Sequence, residues 1–295
     1  MLVTILGNGV VIISIAHIKQ LHTPTNTLIM SLAVADLLLG VTVMPFSTMR
    51  AVEGCWYFGD AFCLLHSSFD MFLTSVSIFH LVFIAIDRYE AVCSPLRYST
   101  KITIPIAWLM VFASWAVAAL YSYCLLYSKA NVRGLDEFIA SIYCLGSCNL
   151  FLNALWVLST VSSVISFYIP GVGMISIYLK IFLIAQRKAH SIHGTTNQNS
   201  VGKSQRKATK TLGIIMRVFL SFWTAFYLQQ SIDPFIQYSI PPLLGDTLVW
   251  FGYLNSAFNP IVYAFFYTWF RRALRINISD HIFHRGSCRF RLYSE

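Results

Sequence analysis

The stretch from Cys63 to Tyr89 (CLLHSSFDMFLTSVSIFHLVFIAIDRY) constrains the fold more than any other part of the chain. It is a mostly apolar run long enough to cross a bilayer as a helix. Its interior holds one carboxylate, Asp70, and its far end closes with Asp87-Arg88-Tyr89. At helical rise the two acidic positions lie roughly 25 Å apart, near opposite faces of a membrane. An ionisable side chain inside a membrane span is costly and by default marks a functional position. A helix built this way senses on one side and reports on the other.

Similar runs recur along the chain, which is 57% hydrophobic and only 11% charged; soluble proteins carry about 25% charged residues. That pattern argues for a single polytopic bundle rather than one or two soluble domains. The net charge of +9 is unevenly spread, so it is no nucleic-acid footprint. Only Arg50, Lys129 and Arg133 fall in one set of alternate connections. Lys19, Arg97, Lys101, Arg187, Lys188, Arg206, Lys207, Lys210, Arg271, Arg272 and Arg275 fall in the other. Basic loops stay cytosolic, so the N-terminus is expected outside and the C-terminus in the cytosol. No nucleophile–base pair or metal triad stands out by spacing, which speaks against an enzyme. Paired half-repeats with broken helices, the mark of many transporters, are absent from the pattern as well.

Seven spans are predicted. The first, about Met1 to Ile18, covers only about 27 Å of a hydrocarbon core of roughly 30 Å. It has no external segment before it and no features of a cleavable signal peptide. The second, about Asn26 to Met49, carries Asp36 at mid-membrane depth and Pro45 as a kink. The third is the stretch above, followed by a cytosolic loop with Pro95-Leu96-Arg97-Tyr98. The fourth, about Ile104 to Leu126, holds Trp108 and Trp115, and a long outer loop runs from Tyr127 to about Asn153. The fifth, about Leu155 to Ala185, has Pro170 at its middle. Ser191 to Ser204 reads as a flexible linker by composition. Its His190-x-x-His193 pair has no carboxylate or thiol nearby and reads as solvated loop, not metal site. The sixth (about Lys207 to Ile236) and seventh (about Leu243 to Tyr267) spans are joined by a short loop with Pro241-Pro242. The basic, amphipathic Trp269 to Ile276 is expected to lie along the inner membrane surface. Of the cysteines, Cys63, Cys144 and Cys148 fall where disulfides survive, and Cys93 and Cys288 in the reducing cytosol. Cys55 and Cys124 read as buried or free thiols.

Asp70 sits about two turns into the outer half of its span. A carboxylate there pairs with a protonated amine, and partial desolvation strengthens the pairing. The plainer reading is a structural hydrogen bond to a neighbour such as Tyr253, but lone membrane carboxylates favour the ligand role. Ser162, Ser163 and Ser166 are placed to donate to a ligand hydroxyl, their spacing putting Ser166 on one face with the other two. Trp223, Phe226 and Tyr227 follow the same spacing on the sixth span, as do Trp250 and Tyr253 on the seventh. Each aromatic taken singly reads as bundle packing. Grouped around a carboxylate, they suit an arylalkylamine through stacking and cation–π attraction. Asp36, Ser77, Asn255, Ser256 and Asn259 put polar groups at mid-membrane depth on three spans. They suit a hard cation such as sodium, or an interhelical hydrogen-bond network, and the two are compatible. No other metal or cofactor is expected.

Gly7-Asn8, Leu32-Ala33-x-Ala35-Asp36, Asp87-Arg88-Tyr89, Trp115, Pro170 with Tyr178, and Asn259-Pro260-x-x-Tyr263 fall on six spans in order. This set resembles the rhodopsin-like G-protein-coupled receptors over nearly the whole chain. Within them, Asn255-Ser256-x-x-Asn259-Pro260-x-x-Tyr263-x-x-x-Tyr267-x-Trp269-Phe270 resembles the signature of the trace amine-associated receptors. Lys19-Gln20-Leu21-His22-Thr23-Pro24-Thr25-Asn26 and Cys55-Trp56-Tyr57-Phe58-Gly59 are similar to that family too. Trp250 to Leu254 and the ending around Ile282-Phe283 and Arg289 look most like its subtype one.

The resemblance implies an all-α membrane protein: a seven-transmembrane helix bundle with a short amphipathic eighth helix over residues 1–276, and a cytoplasmic tail over 277–295. It implies Asp70 as the amine counter-ion and a loop disulfide between Cys63 and Cys148. Trp223 is implied as a switch, with Phe219, Ile78 and Pro170 as the packing relay beneath it. Asp87, Arg88, Tyr89, Tyr178, Pro260 and Tyr263 complete the implied activation machinery. The implied partners are a small amine, a heterotrimeric G protein of the stimulatory kind and membrane lipid, at the plasma membrane. The chain also departs from the pattern. Ala225 stands in place of a proline, Phe222 of a cysteine and Arg217 of a small residue on the sixth span. Ala118 replaces a fourth-span proline, and Gln205 and Ser94 replace acids. These departures lead to the expectation of weak signalling, with a non-signalling homologue as the alternative.

Overall fold

Apolar runs of this length close their backbone hydrogen bonds as helices, and among the described residues seven long helical segments succeed one another. The computed structural model describes residues 1–127, 148, 156–191, 199–236, 239–266 and 270–271, with no strand among them. The first segment is Leu2–His17. The second runs as Pro24–Leu38, a π-helical turn at Leu39–Val43, and Met44–Glu53. The third is Gly59–Cys93 and the fourth Ile104–Tyr127. The fifth joins Trp156–Ser163, a π-helical turn at Val164–Tyr168, and Ile169–Ser191. The sixth is Asn199–Ile232 and the seventh Pro242–Phe266. Pro24–Glu53, Gly59–Cys93, Ile104–Leu125 and Thr160–Ile184 are long and apolar enough to cross a membrane, and Leu2–His17 is a shorter apolar helix.

Local chemistry sets several of these boundaries. Thr23 caps the second segment by accepting from the Asn26 N–H at 3.3 Å, and Pro24 takes the first turn, where no N–H is needed. Gly54 ends the same segment at φ 68°, a left-handed conformation that glycine adopts without strain. The expected kink at Pro45 takes the form of the π-helical turn just before it. Another such turn precedes Pro170. A proline ring lacks an N–H and crowds the carbonyl four residues back, and a widened turn relieves both. The sixth segment has no proline and runs unbroken to Ile232, where a 3₁₀ turn, Asp233–Ile236, follows.

Three expectations need correction. The supposed linker Ser191 to Ser204 is helical from Asn199 onward, because extending an existing helix adds one bond per residue and tolerates polar side chains. Residues 192–198, including His193, lie outside the described residues. The connection after the third segment, expected as a loop, is a short helix, Pro95–Lys101, with its proline at the first turn. Arg50 lies in the last turn of the second segment, not in a loop, and is buried. Of the expected eighth helix only Phe270 and Arg271 are described, both helical. The tail and nearly all of the long outer loop lie outside the described residues.

The third segment is the axis of the bundle and touches the second, fourth, fifth and sixth. Leu73, Val76, Ile78, Leu81 and Ile84 along it are buried. By contrast Trp108, Leu109, Phe112, Val117 and Leu120 on the fourth segment are exposed, an apolar outer face suited to lipid. Glycines set several close approaches. A Cβ on Gly7 would lie 2.7 Å from Pro260 Cγ, and one on Gly252 2.6 Å from the Trp223 ring. Gly9 faces open space. Gly7→Val is therefore expected to lower the melting temperature of the purified protein, since overpacking costs about 1–3 kcal/mol. Gly9→Val should leave it unchanged. Equal melting temperatures for the two variants would show that the first segment does not pack on Pro260.

Candidate functional site

Asp70 projects from the third segment into the bundle and is 3% exposed. Tyr253 Oη donates to its Oδ2 at 2.6 Å, and Thr74 Oγ1, one turn on, to its Oδ1 at a long 3.5 Å. Tyr253 Oη also lies 3.3 Å from Ser47 Oγ, which lies 3.3 Å from His66 Nε2. The structural bond to Tyr253 weighed from the sequence is thus present. It does not exhaust the carboxylate, which has about four acceptor positions. Oδ1, with only the weak Thr74 contact, keeps capacity for a cation.

Above Asp70 the second and seventh segments are fastened together. Arg50 Nη2 pairs with Asp246 Oδ1 at 3.1 Å, and Nη1 donates to the Cys148 carbonyl at 3.3 Å. Cys148 is disulfide-bonded to Cys63 at the start of the third segment, with Cα atoms 5.5 Å apart. One arginine therefore ties two helices to the loop. Cys55, read as a buried or free thiol from the sequence, is disulfide-bonded. Cys144 lies outside the described residues, and Cys124 is a free, exposed thiol.

The aromatic side chains form a connected wall. Trp223 meets Phe226 edge-on at 5.7 Å and Tyr227 at 5.9 Å. Phe167, which sequence reasoning missed, stacks on Tyr227 at 4.6 Å and also meets Phe219 at 5.9 Å. Trp250 stands edge-on to Tyr253 at 5.3 Å. Ser162 and Ser166 carry bonds of their own. Ser166 Oγ donates to the Ser162 carbonyl at 2.6 Å, and Ser162 Oγ bonds to Tyr121 Oη. Serine readily bonds back to its own helix; Ser166 does so while its hydroxyl also faces those of Tyr121 and Tyr227, and Ser162 bonds to the fourth segment. Ser163 is buried.

At mid-depth the structure brings together Asp36, Ser77, Ser256 and Asn259. Asp36 Oδ1 accepts from Ser77 Oγ at 3.2 Å and Ser256 Oγ at 2.7 Å, and Oδ2 accepts from Asn259 Nδ2 at 2.7 Å. Asn8 Nδ2 adds the first segment, donating to the Ser256 carbonyl at 3.1 Å. Asn255, one turn before Asn259, is buried, and its amide oxygen has no hydrogen-bond partner among the described residues.

At the far end of the third segment, Asp87 is fully buried. Its Oδ2 accepts from Arg88 Nε at 2.8 Å and Thr25 Oγ1 at 2.8 Å, and its Oδ1 from Tyr98 Oη at 2.8 Å. Arg88 Nη2 reaches Thr25, and Tyr98 at 3.2 Å. Burial pushes the Tyr98 phenol above its ordinary value, so it stays protonated and donates. Ile78, Pro170, Phe219, Pro260 and Tyr263 are buried, while Tyr89 and Tyr178 are half-buried at the core edge. Tyr178 lies against Gly213, where a Cβ would be 2.6 Å from its hydroxyl. Thr25 and Tyr98 stood in quoted motifs without a role. Ser47, His66, Tyr121 and Asp246 carried no periodic signal, because their partners lie on other segments.

The family model described as 7 transmembrane receptor (rhodopsin family) matches residues 7–263. Trace amine-associated receptor 13c of Danio rerio is 53% identical over all of this chain and 87% of its own length. Trace amine-associated receptor 1 of Macaca mulatta is 49% identical, and that of Homo sapiens 47%, each over all of this chain and 89% of its own length. With this identity along its whole length, the chain belongs to the rhodopsin family of seven-transmembrane receptors and, within it, to the trace amine-associated receptors.

Proposed function

We propose that this receptor binds arylalkylamines, holding the ligand ammonium at Asp70, and signals through a stimulatory G protein at the plasma membrane. The observation that carries the reading is a buried carboxylate with an uncommitted oxygen beside an aromatic wall. A charge-assisted bond from the ammonium to Oδ1 would add to the Tyr253 contact instead of displacing it. Trp250 and the rings around Trp223 offer faces for the aromatic end of the ligand. The names of the relatives point to the same ligand class. The positive-inside asymmetry supports an N-terminus outside and a C-terminus in the cytosol.

Inside, the Asp36 cluster supports a sodium ion as an allosteric partner. Its carboxylate and two serine hydroxyls are hard oxygen donors of the kind such an ion takes, and Asn255, one turn before Asn259, would add its amide oxygen. At the cytosolic face the bonds from Arg88 to Asp87, Thr25 and Tyr98 hold the arginine within the bundle, away from a G protein. A second reading, a receptor that binds but barely signals, is favoured by the unbroken sixth segment. Ala225 leaves that helix without the proline that usually bends helices sharply. Surface expression and cAMP of the unmodified chain against Ala225→Pro separate the two. Equal, strong responses would remove the second reading.

Asp70→Asn keeps the shape and removes the charge, a loss of about 1.5–3 kcal/mol. Half-maximal cAMP responses to phenylethylamine should then need about tenfold more ligand, or higher still; unchanged potency would make Asp70 purely structural. Ser166→Ala is expected to weaken hydroxylated amines more than phenylethylamine, and equal losses would count against a hydroxyl contact. Tyr98→Phe removes one donor to Asp87 and should raise basal cAMP at matched surface expression, whereas an unchanged baseline would show that the Arg88 cluster does not restrain signalling. An epitope on the N-terminus should be stained on intact cells; staining only after permeabilisation would reverse the proposed orientation.

A further inference from the structure

The receptor reading leaves Arg217 without a role. It lies on the sixth segment with Ser221, Ala225, Leu228 and Ile232, all exposed. Steps of four, four, three and four residues keep these five on one helical face. The opposite face carries Met216, Phe219, Trp223, Phe226 and Tyr227, all buried. In a seven-transmembrane bundle the exposed face of such a helix meets lipid, so a guanidinium projects from the bundle into the membrane. Among the described residues no carboxylate pairs with it and no hydrogen bond is made to it.

A charge in that position is costly unless it finds acceptors. Arg217 is six residues from Trp223 toward the lysine-bearing end of the helix, roughly 9 Å along the axis. A long arginine side chain can carry its head a further turn toward the interface. The acceptors there are the phosphate oxygens of lipid headgroups, which a planar guanidinium takes two at a time. The guanidinium's unneutralised charge favours a lipid with net negative charge over a zwitterionic one. Ser221 and Ala225 are small and leave a shallow strip above Arg217 for an acyl chain.

We propose that Arg217 binds the phosphate of an anionic phospholipid of the inner leaflet, seated against the exposed face of the sixth segment. The leaflet rests on the orientation proposed above; the lipid contact itself does not. The bound lipid lies directly behind the helix that carries Trp223, so it loads the element that forms the pocket wall.

The test uses the full chain in phosphatidylcholine nanodiscs carrying a trace of photoactivatable phosphatidylserine or, separately, photoactivatable phosphatidylcholine. Peptide mapping after illumination should find the phosphatidylserine label on the sixth segment near Arg217. Arg217→Leu should reduce that label by about tenfold, the loss expected for one charge-assisted contact, while Arg217→Lys keeps most of it. Ser221→Trp, which fills the strip and leaves the charge, should also reduce it, and serves if Arg217→Leu does not fold. Labelling unchanged by Arg217→Leu, or by Ser221→Trp where that stands in, overturns the proposal, as does equal labelling by the two lipids. Epitope staining on intact cells tests the orientation separately. An internal N-terminus would overturn the inner-leaflet assignment even where the label depends on Arg217.

Discussion

Inside a bilayer a polar side chain has no water to turn to, and the architecture depends on how each one is satisfied by another. Among the described residues three carboxylates are buried in the bundle, Asp36, Asp70 and Asp87, and each is met by donors from a different segment. Asp70 joins the third segment to the seventh, Asp36 the second to the third and seventh, and Asp87 the third to the second. Lipid is as apolar as leucine, so burial of apolar surface does little to hold helices together there. Packing and such bonds do most of it. The third segment is central because it supplies two of these carboxylates and the serine that binds the other.

Close packing supplements the polar links where side chains are absent. Gly7 lets the first segment meet Pro260, and Gly252 lets the seventh receive the Trp223 ring. Trp115 Nε1 donates to Ser31 Oγ at 2.9 Å, tying the fourth segment to the second. At the outer end the Arg50 clamp and the Cys63–Cys148 disulfide hold a loop residue over the second, third and seventh segments. The Arg88 cluster does the corresponding work at the other end. A ligand near Asp70 and a protein near Arg88 would thus act on opposite ends of one rigid helix.

The bundle is not equally stiff along all its helices. The second and fifth segments accommodate their prolines through widened turns, and both turns lie in the half of the bundle that carries the pocket residues. The sixth has no such turn between Asn199 and Ile232. It also carries the exposed Arg217 and holds no proline between those residues.

What the sequence determined by itself was local. Runs of apolar residues, prolines and basic loops follow from one chain's own composition, so the helical segments among the described residues were legible, with the start of the sixth, read as linker up to Ser204, the largest miss. Asp70, Asp36 and Asp87 were legible as functional candidates because a buried charge is anomalous wherever it occurs. Partner choice was not. Whether Asp70 met Tyr253, whether Arg50 reached Asp246, and whether Ser166 faced its own helix depended on how separate helices register against one another. No periodicity encodes that register. Cys55 likewise read as a thiol because its pairing is a property of two distant stretches. Thr25 and Tyr98 became parts of the Arg88 cluster only when the second segment and the short helix Pro95–Lys101 were brought against the end of the third. The one-dimensional pattern settled which groups had to be satisfied, and the three-dimensional packing decided by whom.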